Sequence, residues 1–77
     1  MKLMDYIRTD GKPNGQQERL AERLGTSPAY VYQIAKWQMD PTAKGGRRPS
    51  PEVAKQIEIE TRRLVRREAL IWPEDYD

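Results

Sequence analysis

The sequence predicts an all-α fold: one domain over residues 1–77, built as a compact bundle of about five short helices. Three observations carry that reading. Gln17, Leu20, Ala21 and Leu24 fall at i, i+3, i+4 and i+7, on one helical face. Ser-Pro occurs twice, at Ser27-Pro28 and Ser50-Pro51. Each is a hydroxyl N-cap followed by a proline at the first helical position, where no N–H is needed. Between these stretches lie clusters of glycine and proline that no helix crosses.

A chain of 77 residues has room for only a modest core. It contains no cysteine and no histidine. Disulfides, thiol catalysis, imidazole acid–base chemistry and the usual zinc sites are thereby excluded, so stability must come from helix packing, often aided by dimerisation. Ser27 and Ser50 are both helix caps, and the acidic residues are spread over solvent-facing positions. An enzyme is therefore not expected, nor a cofactor, a metal or a small-molecule substrate. No apolar run approaches the length of a membrane span or a signal peptide, so a soluble intracellular protein without a membrane partner is expected.

Residues 2–8, KLMDYIR, form a short helical pattern with Leu3, Tyr6 and Ile7 on one side. Residues 9–15, TDGKPNG, read as a loop; they lack the glycine spacing and Lys-Ser/Thr ending of a phosphate-cradling loop. The central stretch is QQERLAERLGTSPAYVYQIAKW, residues 16–37. Its first helix must end at Gly25, which takes the left-handed conformation without a Cβ penalty. Ser27-Pro28 restarts a second helix ending near Trp37. Ala21 lets that helix pack close at a steep angle, and Val31 and Ile34 plug the joint. These positions together form the pattern of a DNA-binding helix-turn-helix; an ordinary helical corner is the alternative.

At about 100° per residue the second helix sorts its side chains. Val31, Ile34 and Ala35 share one side, with Tyr30 and Trp37 at its edge, while Pro28, Ala29, Tyr32, Gln33 and Lys36 share the other. That outward set suits base contacts: Ala29 to a thymine methyl, Gln33 to an adenine edge, Tyr32 and Lys36 to bases or phosphates. Gln16, Gln17 and Ser27 are candidates for phosphate contact at the helix starts. Residues 38–49, QMDPTAKGGRRP, form a basic connector whose Lys44, Arg47 and Arg48 are candidate phosphate clamps; a solvated basic loop would look the same.

The net charge of +2 is unevenly spread. Residues 1–25 carry +1, residues 26–51 carry +3 and residues 52–77 carry −2. Positive charge thus gathers beside the outward helix face, as phosphate recognition requires. Ser50-Pro51-Glu52 starts a helix running to about Thr61, with Val53, Ala54, Ile57 and Thr61 on one side and Ile59 almost opposite. Ile59 is accordingly a candidate partner contact. Residues 66–71 form a last turn or two of helix before Pro73, within a closing or dimer segment at 62–77. Leu70, Ile71 and Trp72 are too apolar to hang free; they either close the core or form a dimer contact.

This order of elements resembles the small phage Cro proteins and the related YdaS-type repressors or antitoxins of bacterial prophages. The resemblance rests on KLMDYI, the helix-turn-helix, the connector ending in RRPSPEVAKQIEIET, and the closing LIWPEDY. It implies an all-helical homodimer in the bacterial cytoplasm that binds palindromic operator DNA through residues 28–37. The chain departs from the family pattern in two places. Trp37-Gln38 stands where a glycine usually follows the recognition helix, and Arg62-Arg63 where Gly-Gly often follows the fourth helix. The latter change could lengthen that helix. A transcriptional regulator, in particular a repressor, is the expected function. Its rivals are an architectural or excision factor that bends DNA and an antitoxin that neutralises a partner protein through its apolar tail.

Overall fold

Helix α3 (Pro28–Met39) is the element on which α1 (Leu3–Tyr6), α2 (Gly15–Leu24) and α5 (Arg67–Ile71) pack, while α4 (Pro51–Glu60) closes against α2 and α5. The computed structural model describes residues 1–8, 15–42 and 44–72. Among them all regular structure is helical. Of the loop expected at residues 9–15, Gly15 is instead the first residue of α2; residues 9–14 and the stop at Pro73 lie outside the described residues.

The α2–α3 turn is built from local chemistry. Gly25 sits at φ +70°. Its N–H donates to the Glu22 carbonyl at 3.1 Å, and the Thr26 N–H donates to the Ala21 carbonyl at 2.9 Å. These two bonds satisfy the last carbonyls of α2, which have no partner within the helix. Two residues later Ser27 Oγ accepts from the Tyr30 N–H at 3.2 Å, with Pro28 as the first residue of α3. Ala21 is almost fully buried, so its small side chain lets α3 approach α2 closely. Ser50 repeats the cap on α4, accepting from the Val53 N–H at 3.3 Å.

The core gathers Leu3, Met4 and Ile7 from the N-terminal turn, Leu20 and Ala21 from α2, and Val31, Ile34 and Ala35 from α3. Ala54 and Ile57 of α4, with Val65 and Leu70, complete it. Helices of four and five residues such as α1 and α5 are too short to persist alone. Burial holds them, at about 1.5–3 kcal/mol for each large aliphatic side chain removed from water.

Two polar residues that the sequence pattern puts at the surface or in a loop are buried. The connector is expected to begin at residue 38, yet α3 continues through Gln38 to Met39. Gln38 is only 5% exposed. Its Oε1 accepts from the Leu3 N–H at 2.7 Å, and its Nε2 donates to the Ala69 carbonyl at 3.4 Å. One amide therefore satisfies an unpaired donor at the start of α1 and an acceptor near the end of α5. Glu58, expected to face solvent, is also 5% exposed. Its carboxylate accepts from the Arg67 N–H and Nε at 3.1 Å each, and pairs with Arg66 at 3.4 Å.

The join between α4 and α5 also departs from expectation. Arg62-Arg63 does not lengthen α4. Thr61 caps it, and both arginines adopt left-handed backbone, at φ 55° and 64°. Thr61 Oγ1 donates to the Ile57 carbonyl at 2.7 Å and accepts from the Val65 N–H at 3.2 Å, stitching the turn from inside. Further along, the structure separates the three apolar tail residues. Leu70 is fully buried in the core, which removes it from the expected dimer contact, because a side chain without exposed surface cannot touch a partner. Ile71 packs half-buried against that core, and Trp72 is 48% exposed and so does not close it. Among the described residues no helix is long and apolar enough to cross a membrane.

Candidate nucleic-acid interface

The outward side of α3 starts as expected. Pro28, Ala29 and Tyr32 are exposed, and Val31, Ile34 and Ala35 on the other side have no accessible surface. Gln33 and Lys36 are half-buried rather than fully outward, and the cause is the connector. Residues 44–49 run back along α3 instead of hanging free. The Arg47 N–H donates to the Gln33 carbonyl at 3.0 Å. The Arg48 guanidinium lies 5.7 Å from the centre of the Trp37 ring. Such a stack is worth about 0.5–1 kcal/mol at an exposed site. Pro49 is buried where the connector meets α4.

Gly46 makes this close approach possible. A Cβ at Gly46 would meet Trp37 Cα and Cβ at 3.0 Å. Gly45, at φ +83°, turns the chain above Lys36, whose Nζ lies 3.6 Å from the place its Cβ would occupy. On sequence alone Gly45-Gly46 reads as a flexible joint. The signal pointing the other way is an aromatic residue at the helix end, followed by adjacent glycines and then arginines.

The electrostatic result is a cationic ridge. Lys44, Arg47 and Arg48 are exposed and Lys36 partly so, and none of the four pairs with a carboxylate among the described residues. Asp40 is the single acid in residues 26–51. Its carboxylate is held below the usual aspartate range by the Thr42 hydroxyl, which donates at 2.7 Å, and by the Thr42 N–H. That local turn at the start of the connector engages the segment's single acid.

The residues expected to meet phosphates from the start of α2 are engaged within the chain. Gln17 Nε2 donates to the Pro28 carbonyl at 2.8 Å, tying α2 to the first turn of α3. Gln16 Oε1 accepts from Arg19 Nη1 at 2.9 Å. Gln17 is thus a positioning residue for α3 in this structure, and the geometry does not join Gln16 and Gln17 to the connector cations. Ser27 is exposed and its oxygen caps α3, which leaves the hydroxyl hydrogen free to donate outward. Ile59 is 54% exposed on the outer side of α4, as its spacing predicts.

No protein-family model, curated protein or solved structure matches the chain.

Proposed function

We propose that the protein is a sequence-specific binder of double-stranded DNA that regulates transcription as a homodimer. In this reading α2 and α3 act as a helix-turn-helix, with the exposed edge of α3 in the major groove. Ala29, Tyr32 and Gln33 face bases, while Lys36, Lys44, Arg47 and Arg48 neutralise flanking phosphates. The observation that carries the proposal is the docked connector. The bond from the Arg47 N–H to the Gln33 carbonyl and the Arg48–Trp37 stack set cations that have no ion pair among the described residues beside the outward side chains of α3. A base-reading helix needs such flanks, because phosphate contacts fix orientation while base contacts supply specificity.

A single short helix covers too few base pairs to be selective, and a dimer reading two half-sites about one helical turn apart gains specificity from both. The test is selection of binding sites from random duplexes at a stated salt concentration. A palindromic motif is the expected outcome; no enrichment above random DNA would overturn the proposal.

A further inference from the structure

A second cationic surface lies at the α4–α5 corner, apart from the ridge on α3. An open groove of about 510 Å³ is lined there by Lys55, Glu58, Ile59, Arg62, Arg63 and Arg67. Glu58 is already committed to Arg66 and Arg67. Lys55, Arg62 and Arg63 have no ion-pair partner among the described residues. Ile59 is 54% exposed in the groove, and Leu64, next after Arg63, is 51% exposed. Arg62 and Arg63 also hold the left-handed backbone that glycine adopts at no steric cost. A strained conformation kept with a large charged side chain points to a use for that side chain.

The occupant must be acidic and carry an apolar anchor. A phosphate backbone would satisfy the cations and leave Ile59 and Leu64 in water, so a peptide segment fits better than nucleic acid. Residues 72–77, WPEDYD, have this chemistry: Glu74, Asp75 and Asp77 beside Trp72 and Tyr76. Trp72 itself is 48% exposed. Arg67, the first residue of α5, lines the groove, whereas Trp72 follows the last residue of that helix and is not part of the lining. Trp72 is thus outside its own chain's groove.

We propose that the groove receives residues 72–77 of a second copy of the chain, with its acids on Lys55, Arg62 and Arg63 and its aromatic side chains against Ile59 and Leu64. Two such exchanges related by a two-fold axis close a dimer. This dimer deepens the homodimer part of the proposed function and rests on that reading, but its test uses no DNA, so failure of DNA binding leaves the result readable.

The experiment is sedimentation of the full chain over a range of concentrations at low and high salt. The parent is expected to associate, more weakly at high salt. The double substitution Arg62→Gly/Arg63→Gly removes both charges and relaxes the backbone. It is expected to raise the dimer dissociation constant roughly ten-fold without lowering the melting temperature. Glu74→Gln/Asp75→Asn/Asp77→Asn, which spares every core residue, is expected to do the same. Charge reversal gives the sharper test. Arg62→Glu/Arg63→Glu and Glu74→Lys/Asp75→Lys should each be monomeric alone and form a heterodimer when mixed. A parent that stays monomeric at every concentration overturns the proposal, as does a dimer indifferent to both neutralised variants. Weakened DNA binding by Arg62→Gly/Arg63→Gly with unchanged association would also overturn it, and would reassign the groove to phosphate.

Discussion

Gln33 serves two roles that a single truncation can separate. Its carbonyl anchors the connector through the Arg47 N–H, whereas its side-chain amide is the group proposed to read a base. Gln33→Ala keeps the carbonyl and removes only the amide. It should cost about 1–3 kcal/mol on the preferred duplex and little on random DNA. Binding-site selection with the variant should show relaxed preference at one base pair in each half-site, and an unchanged motif would remove Gln33 from recognition. Arg62 and Arg63 also bear on the stability of the single chain. Left-handed backbone costs a residue with a Cβ about 1–2 kcal/mol. Glycine relieves that strain but restores about 0.4–1 kcal/mol of entropy to the unfolded chain. The first effect outweighs the second over most of these ranges, so each Arg→Gly change should stabilise by up to about 1.6 kcal/mol. A thermal melt of the double variant should shift upward by a few degrees. A downward shift would mean that the arginine side chains themselves hold the turn.

At the scale of elements, buried polar side chains and one glycine set how the short helices meet. The Glu58 carboxylate joins α4 to α5 and is held below the usual glutamate range. The chief cause is the Arg67 N–H, with the Arg67 and Arg66 charges adding and burial opposing. A carboxylate whose pKa is lowered by folding stabilises above its unfolded value, near 4.5, and loses that contribution as pH falls through the folded value. Glu58→Gln should therefore melt below the parent at neutral pH, with the gap closing in acid. A gap independent of pH would assign the loss to packing rather than to charge. Gly46 governs a different junction. A Cβ there would meet the Trp37 backbone at 3.0 Å, and backbone cannot swing aside as a side-chain tip can. Gly46→Ala should lift the connector from α3. The hydrophobic cluster draws no residue from the connector, and of residues 44–49 only Pro49 is buried, so the melt should change little while affinity for any duplex falls. An equal affinity would show that the connector need not be docked for binding.

For the whole molecule, what is legible in the sequence is what local chemistry determines. Gly25, Ser27-Pro28 and Ser50-Pro51 mark their turn and helix starts within a few residues, and apolar spacing places Val31, Ile34, Ala54 and Ile57 in the core. Gln38 and Glu58 are not legible. A glutamine or glutamate is ordinarily exposed, and only bonds to residues 35 and 9 positions away reveal why these two are buried. The docked connector is hidden for the same reason, since Gly-Gly reads as a flexible joint until Trp37 is seen beneath it. Its consequence is an electrostatic layout: a cationic ridge along α3 in residues 26–51, against a net −2 in residues 52–77. If the ridge meets DNA, each phosphate it neutralises releases condensed counterions, and the logarithm of affinity falls linearly with the logarithm of salt. Changing Lys44, Arg47 and Arg48 together to alanine should flatten that slope by roughly 0.9 for every phosphate left without its cation. Specific and random duplexes should weaken by similar factors, because phosphates carry no sequence information. The Arg47 N–H survives the substitution, so the connector keeps its bond to Gln33 and the effect reports charge rather than a displaced loop. Titrations at several salt concentrations read the slope directly. A slope equal to the parent's would mean that these three cations do not touch the DNA backbone, and the ridge would lose its assigned role.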